Sequence, residues 1–342
     1  MKRKQAGHRL AIGLAAVLAI VAPQVVRSQV HTYITHMDQP WPVDPARPWG
    51  WAVKAYMNNP NQPLYNKAKA KLLAGEQVFS HTISSYDPER YCGEAPHFDF
   101  TWFEMQHSTM TFDDIRRMIA ACPRVGAAPF VRMANISEGA IQIATDIGAL
   151  GIVFATVEDA TMAHTAAMYS RYPPYARRST GAGQAASIWG PAVPQGSSYR
   201  NTIDDNFLIV VMIETPKGVE NALDIAAVPG VDVVIMGNAD VASFSGYGAN
   251  SPEYQNLLTK VRNATYLAGK YWGNANAALA TGNPLSADSR LHQNGRTNDA
   301  APGAPVPAGG GRGGRGGRGG GRGAGSGSAP PVAPPARGGA PN

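Results

Sequence analysis

Phe207-Leu208-Ile209-Val210-Val211-Met212-Ile213-Glu214 is an unbroken apolar run closed by a carboxylate. It is rich in β-branched residues, too short for a helix of ordinary length, and shows no alternation of polar and apolar positions. Those properties describe a strand buried on both faces, the strand type of a parallel sheet covered by helices. The residues downstream agree. Gly218 to Ala227 has helical spacing, Pro229-Gly230 breaks it, and Val231 to Met236 is apolar again. Strand, helix and strand in this order make a βαβ unit.

The same alternation extends in both directions. Upstream, the pattern predicts a helix over Leu64–Ala74 and strands over Gln77–Ile83 and Phe98–Met105. It then predicts a helix from Thr111, a good N-cap, to about Ala121, followed by a strand over Ala128–Met133. A helix over Ser137–Ile147, a strand over Gly151–Thr156 and a helix over Val157–Tyr169 come next. Downstream lie a helix over Pro252–Leu267 and a last strand over Tyr271–Ala277. Seven strands are legible, and no eighth. The expected fold class is α/β, a TIM-type (β/α)8 barrel whose last β/α unit is incomplete or unusually closed. Periodicity alone leaves a doubly wound sheet as the rival.

The chain has 342 residues. Residues 1–28 read as a signal peptide. Lys2, Arg3, Lys4 and Arg9 precede an apolar run from Leu10 to Ala22, and a cut is plausible before Gln29. Residues 29–64 form a Pro- and Trp-rich arm in which His31 and His36 read as incidental. Residues 65–280 are the barrel and 281–301 a polar extension. Residues 302–342, made of Gly, Pro, Ala, Ser and Arg, cannot bury enough surface to offset their ordering entropy. About 270 residues remain between the two ends, the size of one barrel. The expected location is therefore periplasmic or secreted, with no stable membrane insertion after cleavage.

The formal charge of +6 belongs to the ends. Lys2, Arg3, Lys4, Arg9 and Arg27 at one end and Arg312, Arg315, Arg318, Arg322 and Arg337 at the other have no acidic counterparts there. The remainder holds 20 basic against 24 acidic residues, a net −4. A mildly acidic core argues against nucleic acid as a partner. Cys92 and Cys122 have no CxxC spacing, so neither a zinc nor a redox site is expected. In an oxidising compartment they can pair, but nothing in the sequence fixes their distance.

Catalytic residues of α/β folds gather at the C-terminal ends of the strands. Glu104 and His107 lie at the end of the second strand, Arg132 ends the third, Glu214 ends the fifth, and Asp240 follows the sixth. Two carboxylates from separate strands can hold Mg2+ or Mn2+ with positions open for substrate. An arginine nearby can stabilise charge on oxygen. A histidine three residues after a carboxylate can act as a general acid/base. Singly, each has a bland alternative as a helix cap, a structural ion pair or a loop histidine.

Several stretches, in order, resemble one family. They are Pro129-Phe130-Val131-Arg132-Met133, Asp146-Ile147-Gly148-Ala149, Gly151-Ile152-Val153-Phe154 and Tyr172-Pro173-Pro174-Tyr175, then Val211-Met212-Ile213-Glu214-Thr215, Ala227-Val228-Pro229-Gly230-Val231-Asp232 and Gly237-Asn238-Ala239-Asp240-Val241. Together they are similar to the HpcH/HpaI aldolase and citrate lyase β-subunit family, over about residues 65–280. The resemblance implies a (β/α)8 barrel, a homo-oligomer, and a class II aldolase. Such an enzyme cleaves or forms a C–C bond of a small 4-hydroxy-2-keto acid through a pyruvate-type enolate. It implies Glu214 and Asp240 as ligands of Mg2+, Mn2+ or Co2+, and Arg132 as the contact to the substrate keto oxygen. It implies His107 as acid/base with Glu104 in the place of its carboxylate partner, and the backbone amides of Ala239 and Asp240 as receivers of the substrate carboxylate. No lysine stands at the matching strand ends, which disfavours Schiff-base chemistry.

The sequence also departs from the family pattern. Glu104-Met105-Gln106-His107 stands where Asp-Gly-Glu-His is usual, and Ala155 and Asn238 each replace a proline. The alternatives are an exported barrel that binds a small acid without turnover and a CoA-thioester lyase of the citrate lyase type.

Overall fold

The computed structural model describes residues 64–173, 176–274 and 289–293. The expected signal peptide at 1–28, the expected arm at 29–64 apart from Leu64, most of the extension at 281–301 and the tail at 302–342 lie outside the described residues. So do Pro174 and Tyr175.

Eight parallel strands close into a barrel in chain order. They are β1 (Val78–Ile83), β2 (Phe100–Glu104), β3 (Ala128–Met133), β4 (Gly151–Phe154), β5 (Leu208–Ile213), β6 (Val233–Met236), β7 (Tyr271–Asn274) and β8 (Leu291–His292). Helices α1 (Lys67–Leu73), α2 (Pro88–Glu94), α3 (Phe112–Ala121), α4 (Glu138–Asp146) and α5 (Ala160–Ser170) precede or connect the first strands. Helices α6 (Gly183–Trp189) and α7 (Tyr199–Asn206) lie between α5 and β5. Helices α8 (Pro216–Glu220), α9 (Ala222–Ala227), α10 (Asn238–Ser245) and α11 (Pro252–Leu267) complete the described set. The doubly wound alternative is thereby excluded. Every residue of β5 is buried, as its apolar run predicts. Thr111 caps α3 in a reciprocal box with Asp114.

Of the two expectations for the last unit, incomplete or unusually closed, the second is found, and the eighth strand that the sequence did not reveal is present. β8 closes the ring inside the stretch read as a polar extension. Leu291 and His292 pair with Gly273 and Asn274 on one side and with Val78 and Phe79 on the other. Backbone bonds from Arg290 N–H to Trp272 O and from Val78 N–H to Arg290 O, both 2.7 Å, continue the two ladders. The Ser80 hydroxyl donates to Gln293 O just beyond. Gly273 admits this strand, because a Cβ there would lie 2.6 Å from the Ile235 side chain and 2.9 Å from Leu291 O. A two-residue strand between polar neighbours leaves no periodic trace to read.

Helix α1 lies across the N-terminal face of the barrel. Its cap residue Asn66 donates to Leu150 O and Asn206 O, the carbonyls that lead into β4 and β5. Beneath it, Arg171 donates to Asp232, Gly230 O and Phe207 O. Asp232 and Asp146 of the family-like stretches are therefore scaffold: Asp146 pairs with Arg178 at 2.9 Å. Asp204 accepts the Tyr172 N–H, and full burial pushes its carboxyl up to about 8. A folded-state value raised above the unfolded one, about 4, means the folded chain binds the extra proton. That contribution is complete below the unfolded value and is lost as pH rises through about 8. Lys69, whose amine burial lowers to about 7, acts with opposite sign at higher pH. His164 and His292, which burial lowers, also act with opposite sign below about pH 7, so the Asp204 contribution is read as a difference between wild type and a variant without that carboxyl. The melting temperature of wild type relative to Asp204→Asn is expected to fall from about pH 5 to pH 7; a pH series of thermal melts on both proteins checks this.

Cys92 in α2 and Cys122 after α3 form a disulfide, with Cα atoms 5.7 Å apart. It closes a loop with a sequence separation of 30. Loop-closure entropy assigns about 3–4 kcal/mol to such a link. The Cys92→Ala/Cys122→Ala double variant is expected to melt on the order of 10 °C lower, read by differential scanning calorimetry.

Candidate active site

The strand register turns the last residues of β2 and β3 and the residue after β5 into one cluster at the C-terminal mouth. Glu104 is level with Arg132 across the β2–β3 ladder. Arg132 Nη1 is 3.1 Å from Glu104 Oε2, and Nη2 is 3.0 Å from Glu214 Oε1. Nη2 also lies 3.3 Å from Met212 Sδ. All three charged side chains are buried. The result is one guanidinium held between two carboxylates. Arg132 Nε is buried and makes no hydrogen bond to the described residues.

Each carboxylate is fixed from its other side. Glu104 Oε2 also accepts from Trp102 Nε1 at 3.0 Å, while Oε1 accepts the backbone N–H groups of Gln106 and His107 at 2.8 and 3.1 Å. Glu104 thus orders the turn that carries His107 through its backbone rather than through the imidazole. His107 is exposed at the mouth. Glu214 Oε2 accepts from both Thr156 N–H and Thr156 Oγ1, each at 2.8 Å. Gly237 makes room for Glu214: a Cβ there would lie 2.6 Å from its Oε1.

Burial raises the Glu214 pKa, opposed by Arg132 and the Thr156 bonds and assisted by the negative charge of Asp240. Asp240 stands half-buried in the first turn of α10, with the exposed Ala239 beside it. The N-cap of that helix, Gly237, supplies no side-chain acceptor, so its first amides are left for another acceptor. Asn238 Nδ2 donates to Asn274 Oδ1 at 2.6 Å, and Tyr254 OH donates to Asn238 O at 3.1 Å. This carboxamide pair joins the ends of β6 and β7 where the family pattern has a proline. Among the described residues, no group of three or more His, Cys, Asp or Glu side chains converges as a ready metal cage.

Of the residues expected from the sequence, Glu104, Arg132 and Glu214 are joined by direct bonds, and Asp240 lies near enough to Glu214 to act on its charge. His107 and Ala239 sit at the same mouth. Trp102 and Thr156 were not legible as members: a tryptophan inside an apolar strand reads as core, and a threonine after a strand reads as a turn.

The model of the HpcH/HpaI aldolase/citrate lyase family matches residues 93–283. The chain belongs to that family. It is accordingly a carbon–carbon lyase of the aldolase type. The matched span runs from the end of α2 past β7 and includes every charged residue of the cluster. The chain is 29% identical over 219 residues to the 2-keto-3-deoxy-L-rhamnonate aldolase of Shigella sonnei, covering 62% of this chain and 80% of that one. It is 29% identical over 187 residues to the 2-dehydro-3,6-dideoxy-6-sulfogluconate aldolase of Pseudomonas putida, covering 54% and 70%. The HpcH/HpaI aldolase of Desulfitobacterium hafniense superposes with a TM-score of 0.58 at 26% identity, over 66% of this chain and 90% of that one.

Proposed function

We propose that this family member is a metal-dependent aldolase that cleaves a 4-hydroxy-2-keto acid to pyruvate and an aldehyde. The observation that carries the reading is Arg132, clamped by Glu104 and Glu214 at the mouth of the barrel. A guanidinium so held is a fixed positive group at the mouth of the barrel, placed to stabilise charge that develops on an oxygen beside it.

The donor set fits a hard divalent cation. Glu214 and Asp240 come from separate strand ends, and the charge of one raises the pKa of the other. Like charges at a buried site are relieved by a cation, and carboxylate oxygens suit Mg2+, Mn2+ or Co2+. Glu214 and Asp240 would hold it, and when bound it supplies positive charge beside the oxygens of the keto acid.

The remaining steps fall to the chain itself. The amides of Ala239 and Asp240, at the N-terminus of α10, receive the substrate carboxylate. Arg132 contacts the C2 oxygen and stabilises the charge that develops on it. His107 takes the proton from the 4-hydroxyl. The C3–C4 electrons pass toward the C2 oxygen, the aldehyde leaves, and C3 takes a proton from solvent to give pyruvate while His107 returns the hydroxyl proton to solvent. Glu104 keeps Arg132 in line and the His107 turn in place.

Export is proposed as well, supported by the signal-like residues 1–28 and by a disulfide that an oxidising compartment sustains. Self-association is proposed from the family resemblance and from the exposed Phe244 and Leu267; sedimentation of the purified chain reads it directly.

The test is a coupled pyruvate-release assay with a panel of 4-hydroxy-2-keto acids, run with Mg2+, Mn2+ or Co2+ and again with chelator. Pyruvate formed only with metal is the expected result. Folded, metal-loaded protein that releases none from any substrate would overturn the reading.

A further inference from the structure

Thr156 has a backbone φ of 52°, in the left-handed region. For a β-branched residue that conformation is an outlier and stores strain. Among the described residues one other non-glycine residue has a positive φ, Arg124, in an exposed turn. Thr156 instead stands at the mouth of the barrel. The strand before it is in register, with Phe154 paired to Val211. An unbroken register would bring Val157 level with Glu214, yet Val157 N–H bonds to Met212 O at 2.9 Å. The end of β4 is therefore bulged, and bulges re-aim side chains beside active sites. Here the bulge takes the Thr156 N–H out of the ladder and directs it, together with Oγ1, at the same oxygen of Glu214, each at 2.8 Å.

We propose that Thr156 is a positioning residue of this site, held in a strained turn so that two donors fix Glu214 Oε2 and set the carboxylate for the divalent cation. This rests on the reading of Glu214 as a metal ligand. Partners of a metal ligand fix its orientation, and their loss typically weakens metal binding or activity by about 10–100-fold. A turn with a merely structural role would change the melting temperature and leave both alone once the protein is folded.

The experiment compares full-length wild type, Thr156→Ser, Thr156→Ala and Thr156→Gly. The readouts are Mn2+ affinity by calorimetry, kcat for pyruvate release, and melting temperature without metal. Thr156→Ala is expected to bind Mn2+ about tenfold more weakly and to turn over more slowly; Thr156→Ser, which keeps the hydroxyl, restores both. Thr156→Gly is expected to melt above Thr156→Ala, because both lack the hydroxyl and only glycine relieves the left-handed strain. A folded Thr156→Ala protein with wild-type Mn2+ affinity and kcat would overturn the assignment while leaving the aldolase reading intact. Thr156→Gly melting below Thr156→Ala would likewise remove the strain argument. Wild type that neither binds Mn2+ nor releases pyruvate would overturn both.

Discussion

Glu214→Gln is expected to lower metal-dependent pyruvate release by about a thousand-fold or more, equivalent to about 4 kcal/mol of transition-state stabilisation. The reason lies in the hydrogen-bond pattern. Both oxygens of Glu214 accept: one from Arg132, the other from the N–H and hydroxyl of Thr156. A glutamine must present its NH2 group to one of these donors, so whichever way the amide turns, one bond becomes a clash of donors. The variant also lacks the charge for a cation. Its fold should hold, since shape and burial are kept. Asp240→Asn, at a half-buried position without these bonds, should lose cation affinity with less disturbance of Arg132. Assays across a Mn2+ titration, with circular dichroism to show folding, check both. Glu214→Gln turning over within about tenfold of wild type would remove Glu214 from the chemistry.

Arg132→Met is expected to have the largest effect on stability of any change at the site. It leaves Glu104 and Glu214 buried without the cation they share. Breaking a buried pair by deleting one partner costs about 3–5 kcal/mol, on the order of 10 °C in a domain of this size. Turnover should be lost at every metal concentration, because the donor to the keto oxygen is gone. Mn2+ should raise the melting temperature of the variant by more than it raises that of wild type, since the cation then meets an uncompensated carboxylate. Arg132→Lys retains one charge on a single point and cannot span both carboxylates, so an intermediate loss is expected. Thermal melts with and without Mn2+ separate these outcomes. An Arg132→Met protein as stable as wild type would show that the two carboxylates do not depend on the guanidinium.

The parts legible in the sequence were those where one physical demand dominates. β5 had to be apolar throughout because both of its faces are covered, and α11 appears over Pro252–Leu267 as its spacing requires. Glu104, Arg132 and Glu214 could be picked out because each is a charge at or near the end of an apolar run. Other parts were illegible for equally physical reasons. Residues Thr202 to Asn206 of α7 look like solvent-facing polar chain, yet all are buried near α1, where their side chains serve the floor of the barrel. Glu104 was expected to orient the imidazole of His107. Its oxygens are taken by Trp102, Arg132 and two backbone amides, contacts between strands and turns that no local pattern encodes.

The two-residue β8 has a thermodynamic consequence. Local opening depends on the contacts that must be broken, and regions with few of them open at the smallest free energy. The other seams of the barrel are held by ladders in which four or five residues of each strand are in register. Among the described residues, the joint between β7 and β1 depends on two residues and the bonds flanking them. When the ring loosens, it therefore parts at that joint and becomes an open sheet of seven strands, β1 to β7. Glu104, Arg132, Thr156 and Glu214 all lie on or just beyond β2 to β5, strands that stay paired through such an opening. Breathing of the barrel can thus proceed without disturbing the charged cluster.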